Sequence, residues 1–450
     1  MGDKKKVVIV GAGLCGTLLA IRMGQRGYDV SLHEKRADMR AEGMSAGRSI
    51  NLALSARGLM ALDRAGLKEK VLAHCIPMHG RMIHTKAGET FLSPYSGRSD
   101  DYINSVPRGG LNCILLDEAE KMDNIKIHFN SACKSVNLEN AKATFKQEGG
   151  WDVMEQGDII IGTDGAGSIV RKSMMANTTK LLFNYSQDFL RHGYKELSIA
   201  PLEGGGYQIE KNALHIWPRG SYMIIALPNM DGSFTLTMFH PYKGPAGFDT
   251  LDEEAVLTQF FEENYPDLIP HVPHYIEEYK RNPVGTLGTI KCYPWQAYGK
   301  TLIMGDAAHA IVPFYGQGMN ASFEDVRVFD DMLEQYGDAN WKQLFEKYQD
   351  ARAENANAIA DLAIDNFHEM QDKVNDPDFQ KKRKLEMKLE QEYPQYYSKY
   401  SLVTFNPELS YKEAMERGRA QDNLLLDICS SVDTIEQLDA KEVLAQLLAI

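Results

Sequence analysis

A run of apolar, β-branched residues, Val7-Val8-Ile9-Val10, meets Gly11-Ala12-Gly13-Leu14-Cys15-Gly16 and then a helix-like stretch from Thr17 to Arg26. No other feature restricts the fold of this chain as strongly. A continuous run of that kind reads as a strand buried on both faces of a sheet. The glycines after it supply a tight turn at Gly11, close approach of a ligand at Gly13 and close helix packing at Gly16. A second strand, Tyr28 to His33, ends on Glu34, 23 positions after Gly11. That spacing fits a dinucleotide. The pyrophosphate would sit on a helix N-terminus, where free N–H groups and the dipole favour negative charge, and a ribose diol would meet the carboxylate. A carboxylate disfavours a 2′-phosphate, so FAD or NAD is expected as the resident nucleotide, and not NADP. Lys4-Lys5-Lys6 before an apolar stretch imitates a secretory leader, but the three glycines give that stretch a better explanation. Met1-Gly2 lacks the hydroxyl residue that myristoylation needs at position 6, where Lys6 stands.

A second element chooses between the two nucleotides. Leu302-Ile303-Met304-Gly305-Asp306-Ala307-Ala308-His309 is an apolar strand ending in a carboxylate, followed by Pro313, Gly316, Gln317, Gly318, Met319 and Asn320. Asp306 suits a ribityl or ribose hydroxyl. The amides of Gly318 to Asn320, at a helix start, suit the electron-rich edge of a flavin. His309, just past the strand end, reads as structural. A third element, Asp158 to Gly162, is a strand that turns through Asp164-Gly165 into a helix.

The remaining chain separates into regions. Residues 48 to 74 read as a loop and then a helix with Leu59, Leu62 and Leu67. Asn112 to Lys121 reads as a helix and Ile125 to Phe129 as a strand, which together suggest a doubly wound α/β unit. Tyr222 to Leu227 and Phe234 to Phe239 read as strands joined by the hairpin signal Asn229-Met230-Asp231-Gly232, so residues 181 to 290 form a mostly antiparallel sheet. Residues 301 to 304 return to the first sheet. From about 323 onward the chain is helical. Asp376-Pro377 marks a helix start, and Lys381-Lys382-Arg383-Lys384, set among glutamates, reads as a solvated face. Asp433 and Glu436 have capping-box spacing for a last helix with Leu444, Leu447 and Leu448 on one face.

Composition narrows the partners. The 49 basic and 62 acidic residues leave a net charge of −13, which argues against nucleic acid. No apolar run is long enough to span a bilayer. Six scattered cysteines without a CxxC pair favour a reducing compartment and no metal site. His74-Cys75 reads as a helix end.

Three ordered motifs, GAGLCG with Glu34, DGAGSIVR from Asp164 and GDAAHAIVPFYGQGMN from Gly305, resemble the class A FAD-dependent aromatic monooxygenases, the p-hydroxybenzoate hydroxylase group. Gly47 to Ser55, His192 to Leu197, Pro313 to Asn320 and Tyr400 to Phe405 are similar to the branch that acts on L-kynurenine. The resemblance implies an α/β fold with a Rossmann-like FAD-binding domain (1–75, 100–180 and 291–325). It implies an inserted, mostly antiparallel β-sheet substrate domain (76–99 and 181–290) and a C-terminal helical region (326–450). It implies tightly bound FAD, with NADPH and O2 as co-substrates, and hydroxylation through a flavin C4a-hydroperoxide in tryptophan catabolism. FAD would be held by Gly11, Gly13, Leu14, Gly16, Glu34, Ala53, Arg108, Asp164, Asp306, Gly318, Met319 and Asn320. The carboxylate of L-kynurenine would meet Arg81 and Tyr95, which flank Gly88 in a hairpin, with Asn366 and Tyr400 completing the polar end. Phe314 would wall the ring, with Met223, Ile225 and Phe239 as further candidates. Phe314, Tyr315 and Gln317 would lie near the flavin face, and no side chain is singled out as the catalyst. Relatives often carry histidine where this chain has Tyr315, which leaves its substrate and inhibitor preference open.

Another carboxylated aromatic substrate remains open, as does a flavin-binding protein without oxygenase chemistry. Trp151, Trp217, Trp295 and Trp341 are isolated, which counts against a halogenase of this fold. Eukaryotic relatives carry an apolar C-terminal anchor, whereas the tail here is rich in charge, so a cytoplasmic, bacterial protein is expected. Monomer and homodimer both stay open.

Overall fold

The computed structural model describes residues 4–41, 51–369 and 376–450. Met1-Gly2 and the stretch Gly47 to Ile50 lie outside them. The chain begins with β1 (Lys6–Val10), α1 (Leu14–Gln25) and β2 (Asp29–His33). Then come β3 (Asn51–Leu54), α2 (Ala56–Arg64), α3 (Lys68–Leu72), β4 (Ile76–Met78), β5 (Gly80–His84), β6 (Thr90–Pro94), β7 (Ile103–Pro107) and α4 (Arg108–Glu120). The expected single helix before residue 74 is two short helices. They part at Gly66, whose φ of +73° is a left-handed conformation that suits glycine. A strand, β3, replaces part of the expected loop.

There follow β8 (Ile125–His128), then β9 (Ala132–Asn137), β10 (Lys142–Lys146) and β11 (Asp152–Gln156), which form a separate three-stranded antiparallel sheet, and β12 (Ile159–Gly162), α5 (Ile169–Met175) and α6 (Thr178–Leu181). The next strands and helices are β13 (Asn184–Ile199), β14 (Leu214–Arg219), β15 (Tyr222–Pro228), β16 (Phe234–Pro241), α7 (Glu254–Asn264), α8 (Tyr275–Arg281), β17 (Gly285–Tyr293), β18 (Gln296–Ala297) and β19 (Thr301–Ile303). Helices complete the chain: α9 (Gly318–Tyr336), α10 (Trp341–His368), α11 (Pro377–Glu392), α12 (Lys399–Thr404), α13 (Tyr411–Ser430) and α14 (Ala440–Leu448).

The nucleotide-type sheet has the order β18-β19-β12-β1-β2-β8, parallel except at β18. Val7, Val8 and Ile9 are fully buried in it, as are Ile159, Ile160 and Ile161. Continuous burial on both faces is why these strands read as unbroken apolar runs. The strand at 301–303 joins it, as the sequence implies. A seven-stranded sheet, β17-β13-β16-β15-β14-β5-β6, is antiparallel except where β14 meets β5. Alternation sorts its side chains. Trp217, Ile224, Leu236 and Met238 pack outward against α7 and α8. Ile216, Met223, Ile225 and Phe239 face inward, toward α10 and α12. β4 pairs with β7 in a small sheet with β3, and not with the seven-stranded sheet.

Two C-terminal expectations change. α9 begins at Gly318, where a helix start is expected. Asp376 does cap α11, accepting from Asp378 N and Phe379 N. The solvated face expected at 381–384 is broken by Lys382, which is 3% exposed because its ammonium lies among Glu386 and Asp422. The last helix is capped by Asp439 instead of Asp433, and Leu448 is exposed while Leu444 and Leu447 are buried. Among the described residues no helix is long and apolar enough to cross a membrane.

Candidate active site

The glycine loop behaves as its spacing requires. Gly11 has φ +103°, and a Cβ there would lie 2.6 Å from Thr163 O. Its N–H donates to His33 O at 2.7 Å, which ties the turn to β2. A Cβ on Gly16 would meet Gly11 O at 2.0 Å, so the helix packs on its own entry turn. Gly13 differs: a Cβ there would meet nothing within 4 Å. The space beside Gly13 is the cradle that a pyrophosphate needs. Leu14, Cys15 and Gly16 begin α1 beside it, and no side chain caps that N-terminus. Glu34 is 7% exposed and accepts from Ala12 N at 3.1 Å, which places its carboxylate beside the loop.

The second half of the cradle is built by α9. Its N-terminal residue Gln317 makes no side-chain cap, and its first turn has no acidic residue. The amides of Gly318, Met319 and Asn320 are therefore not neutralised by the helix's own side chains, whereas α10 to α14 each carry a side-chain cap. Asn320 is fully buried. Its Oδ1 accepts from Ser55 N at 2.9 Å and its Nδ2 donates to Ala53 O at 2.8 Å. It thus ties β3, with Ala53, to the start of α9. Gln317 faces the protein: Tyr411 Oη donates to its Oε1 at 2.9 Å. Asp306 follows β19, and its charge acts on Cys15, whose thiol is pushed up by burial first and then by Asp325 and Asp306. Asp164 serves α5: its carboxylate accepts from Ser168 Oγ at 2.5 Å and from Ile169 N at 2.6 Å. Burial raises its pKa while those donors act against the rise. Arg108 is exposed at the start of α4, acts on the nearby Tyr194 phenol, and has no ion pair among the described residues. The residues present fit FAD.

His309 is structural, as expected. Its Nε2 lies 2.5 Å from Asp325 Oδ2 and its ring stacks on Trp295. Burial works against the Asp325 charge, but His309 and Arg352 more than offset it and hold its pKa below the usual carboxylate range.

The inward face of the seven-stranded sheet brings the expected substrate residues together. The guanidinium of Arg81, on β5, lies 5.0 Å from the Tyr95 ring and 4.6 Å from the Tyr400 ring. Tyr95 and Tyr400 stack at 5.7 Å, and Tyr400 stacks on Tyr315 at 5.6 Å. Tyr95 is 1% exposed, and its Oη has no partner among the described residues. Burial, then the Tyr400 charge, lift its phenol well above the ordinary range, with Arg81 acting the other way. Arg81 has no carboxylate partner among the described residues. Asn366 Nδ2 donates to Phe314 O at 2.6 Å. Phe314 contacts Phe239 at 5.1 Å and Phe367 at 4.5 Å, ring to ring. Phe367 was not foreseen, although Ile359, Ala363 and Phe367 follow a helical apolar period that would have revealed it.

These features define a flavin-dependent monooxygenase fold. An FAD binding domain family matches residues 4–187 and 278–363, and FAD is the cofactor. The unmatched residues 188–277 hold most of the seven-stranded sheet and its outer helices. The chain is similar in fold to 2-methyl-3-hydroxypyridine-5-carboxylic acid oxygenase in its tetrameric form, with TM-score 0.66 and 20% identity, covering 88% of this chain and 99% of that one. It is 42% identical to the kynurenine 3-monooxygenase of Myxococcus xanthus (strain DK1622), covering 97% of this chain and 94% of the relative. It is also 42% identical to the Dictyostelium discoideum kynurenine 3-monooxygenase, over 97% and 96% respectively. The chain belongs to the kynurenine 3-monooxygenase family.

Proposed function

We propose that this chain hydroxylates L-kynurenine at ring carbon 3, using NADPH and O2. The observation that carries the reading is Arg81, a cation without a carboxylate partner among the described residues, held against both the Tyr95 and Tyr400 rings at one end of an aromatic wall. A guanidinium so placed takes a carboxylate bidentately. The buried Tyr95 Oη supplies a further donor for the same group. Asn366 holds the Phe314 carbonyl and so fixes the ring wall of Phe314, Phe239 and Phe367. The wall excludes water and presents the flat face of the aromatic ring.

FAD, when bound, carries electrons from NADPH to O2 and supplies the oxidising chemistry. Gly11, Gly13, Gly16 and Glu34 would hold its pyrophosphate and ribose, and the α9 N-terminus its electron-rich ring edge. The amino group of kynurenine already enriches the carbon ortho to it. The protein therefore needs no strong base at that carbon. Positioning is the main task left to the side chains. Six free cysteines support a reducing, cytoplasmic location.

The test is turnover of FAD-loaded protein with NADPH in air, with and without L-kynurenine, read by mass spectrometry. Kynurenine gaining one oxygen at carbon 3 is the expected result. NADPH consumption that yields only hydrogen peroxide would make kynurenine an effector and turn the search to other carboxylated aromatics.

A further inference from the structure

Lys399, the first residue of α12, and Glu369, just past the end of α10, form an ion pair at 2.5 Å. The same ammonium holds Asp422 of α13 at 2.5 Å. The other Asp422 oxygen takes Lys382 of α11, also at 2.5 Å, and Lys382 reaches Glu386 at 3.3 Å. Lys399 and Asp422 are each 8% exposed. Helix α13 makes room for the lysine stem with a glycine: a Cβ on Gly418 would lie 2.6 Å from Lys399 Cγ. Burial works against the Lys399 charge, but Asp422 and Glu369 more than offset it and keep the ammonium charged.

A buried charge cluster adds little stability over well-packed apolar residues of the same volume. What it does supply is one fixed geometry, and its place in the chain gives that geometry a use. Asn366 stands three residues before Glu369 on α10, and Tyr400 follows Lys399 directly. The ion pair therefore joins the two elements that carry the last two residues of the polar end. The Lys399 carbonyl also accepts from Tyr315 Oη at 3.4 Å, and Tyr315 stacks on Tyr400, as Tyr95 does. Two of the contacts that fix the Tyr400 ring thus lead back to Lys399 and Arg81, the Tyr315 stack and the guanidinium, while Phe405 meets it edge-on at 6.1 Å.

We propose that Lys399 is a positioning residue for the substrate's amino-acid end: through Glu369 and Asp422 it holds Tyr400 beside Arg81 and Asn366 beside Phe314. The proposal rests on the reading of Arg81, Tyr95, Asn366 and Tyr400 as the substrate's polar end.

The test compares FAD-loaded wild type with Lys399→Met, Lys399→Arg and Glu369→Gln. Lys399→Met is expected to raise the Kd for L-kynurenine, read from the flavin absorption, by roughly tenfold, while kcat at saturating substrate falls less than about threefold. FAD content should not change, and Lys399→Arg should restore most of the affinity. Amide hydrogen exchange should quicken in 399–405 and 362–369 and not in the nucleotide sheet. Wild-type Kd with wild-type exchange in those segments would overturn the proposal, as would loss of protection across the whole chain, which marks a merely structural cluster. If the wild type itself binds no L-kynurenine, the proposed substrate fails, and the exchange pattern still decides the role of Lys399. If Lys399→Met does not fold, Glu369→Gln, which leaves Lys399 paired with Asp422, carries the same comparison.

Discussion

Gly13 and Gly16 stand three residues apart and face a methyl group with opposite consequences. The backbone of Gly13 is extended, with φ −75°, and the space beyond it is open. Gly13→Ala should therefore fold normally and fail only where a ligand comes close. It is expected to weaken FAD binding by about 1–3 kcal/mol, the cost of forcing one extra carbon into a filled site. Dialysis against dilute FAD, followed by flavin absorbance, measures this; unchanged retention would mean that nothing packs against Gly13. Gly16→Ala should instead lower the yield of folded protein, since its methyl would clash with Gly11 O. Arg81 can be treated in the same way. Arg81→Met keeps an apolar stem on β5 and removes the charge beside the two tyrosines. It should weaken L-kynurenine binding by roughly 1.5–3 kcal/mol, the range for hydrogen bonds to charged groups, with FAD content unchanged. A titration that returns the wild-type affinity would remove Arg81 from the site.

At the scale of elements, the outer layer of the seven-stranded sheet sets an acid limit. His240 on β16 and His215 on β14 are buried, and burial lowers their pKa values to about 3 and about 4. Both stay neutral in the fold: His240 bonds Ala246 O through Nδ1 and His215 bonds Glu210 O through Nε2. Above the ordinary histidine pKa of 6.5 neither the folded nor the unfolded chain binds these protons, so they cost nothing. Below it the unfolded chain takes them up first, and stability falls until the folded values are reached. From pH 7 to pH 5 the loss is about 2 kcal/mol for each histidine. The urea midpoint should drop over that interval; a flat profile would mean that these histidines are already charged in the fold. This layer also marks how far the sequence could be read. Alternation along 222–227 and 234–239, with the turn between them, disclosed the sheet and its hairpin because period and turn chemistry are local. Gln317 with Tyr411, or Asn320 with Ser55, could not be read, since partners far apart in the chain leave no spacing to find. Lys382 misled for a related reason: a run of four basic residues looks solvated until Asp422 of another helix is placed over one of them.

At the scale of the whole molecule, the nucleotide half and the C-terminal helices are joined by charge. Arg57 on α2 is 1% exposed. It donates to Val403 O at 2.9 Å and to Glu324 at 2.8 Å, and also bonds Asn406 O and Leu409 O. Glu324 on α9 accepts from Arg352 of α10 at 2.6 Å, and Arg352 reaches Asp325, which holds His309. One buried chain thus links the helix that opens on the flavin side, the long helix that carries Asn366, and the segment after Tyr400. Burial disfavours the Glu324 charge, but Arg352 and Arg57 more than offset it, so its carboxyl sits below the usual range. Glu324→Gln removes the charge shared by two buried arginines. Breaking such a pair typically costs about 3–5 kcal/mol, because the remaining charges stay buried and uncompensated. The thermal midpoint of the holoenzyme should fall, and FAD and L-kynurenine affinity should decline together, since both sites share this brace. That joint loss separates Glu324 from Gly13, which should affect FAD alone, and from Arg81, which should affect the substrate alone. A Glu324→Gln protein with wild-type melting and both affinities intact would show that the two halves hold their arrangement by apolar packing, and that the buried charges are only tolerated.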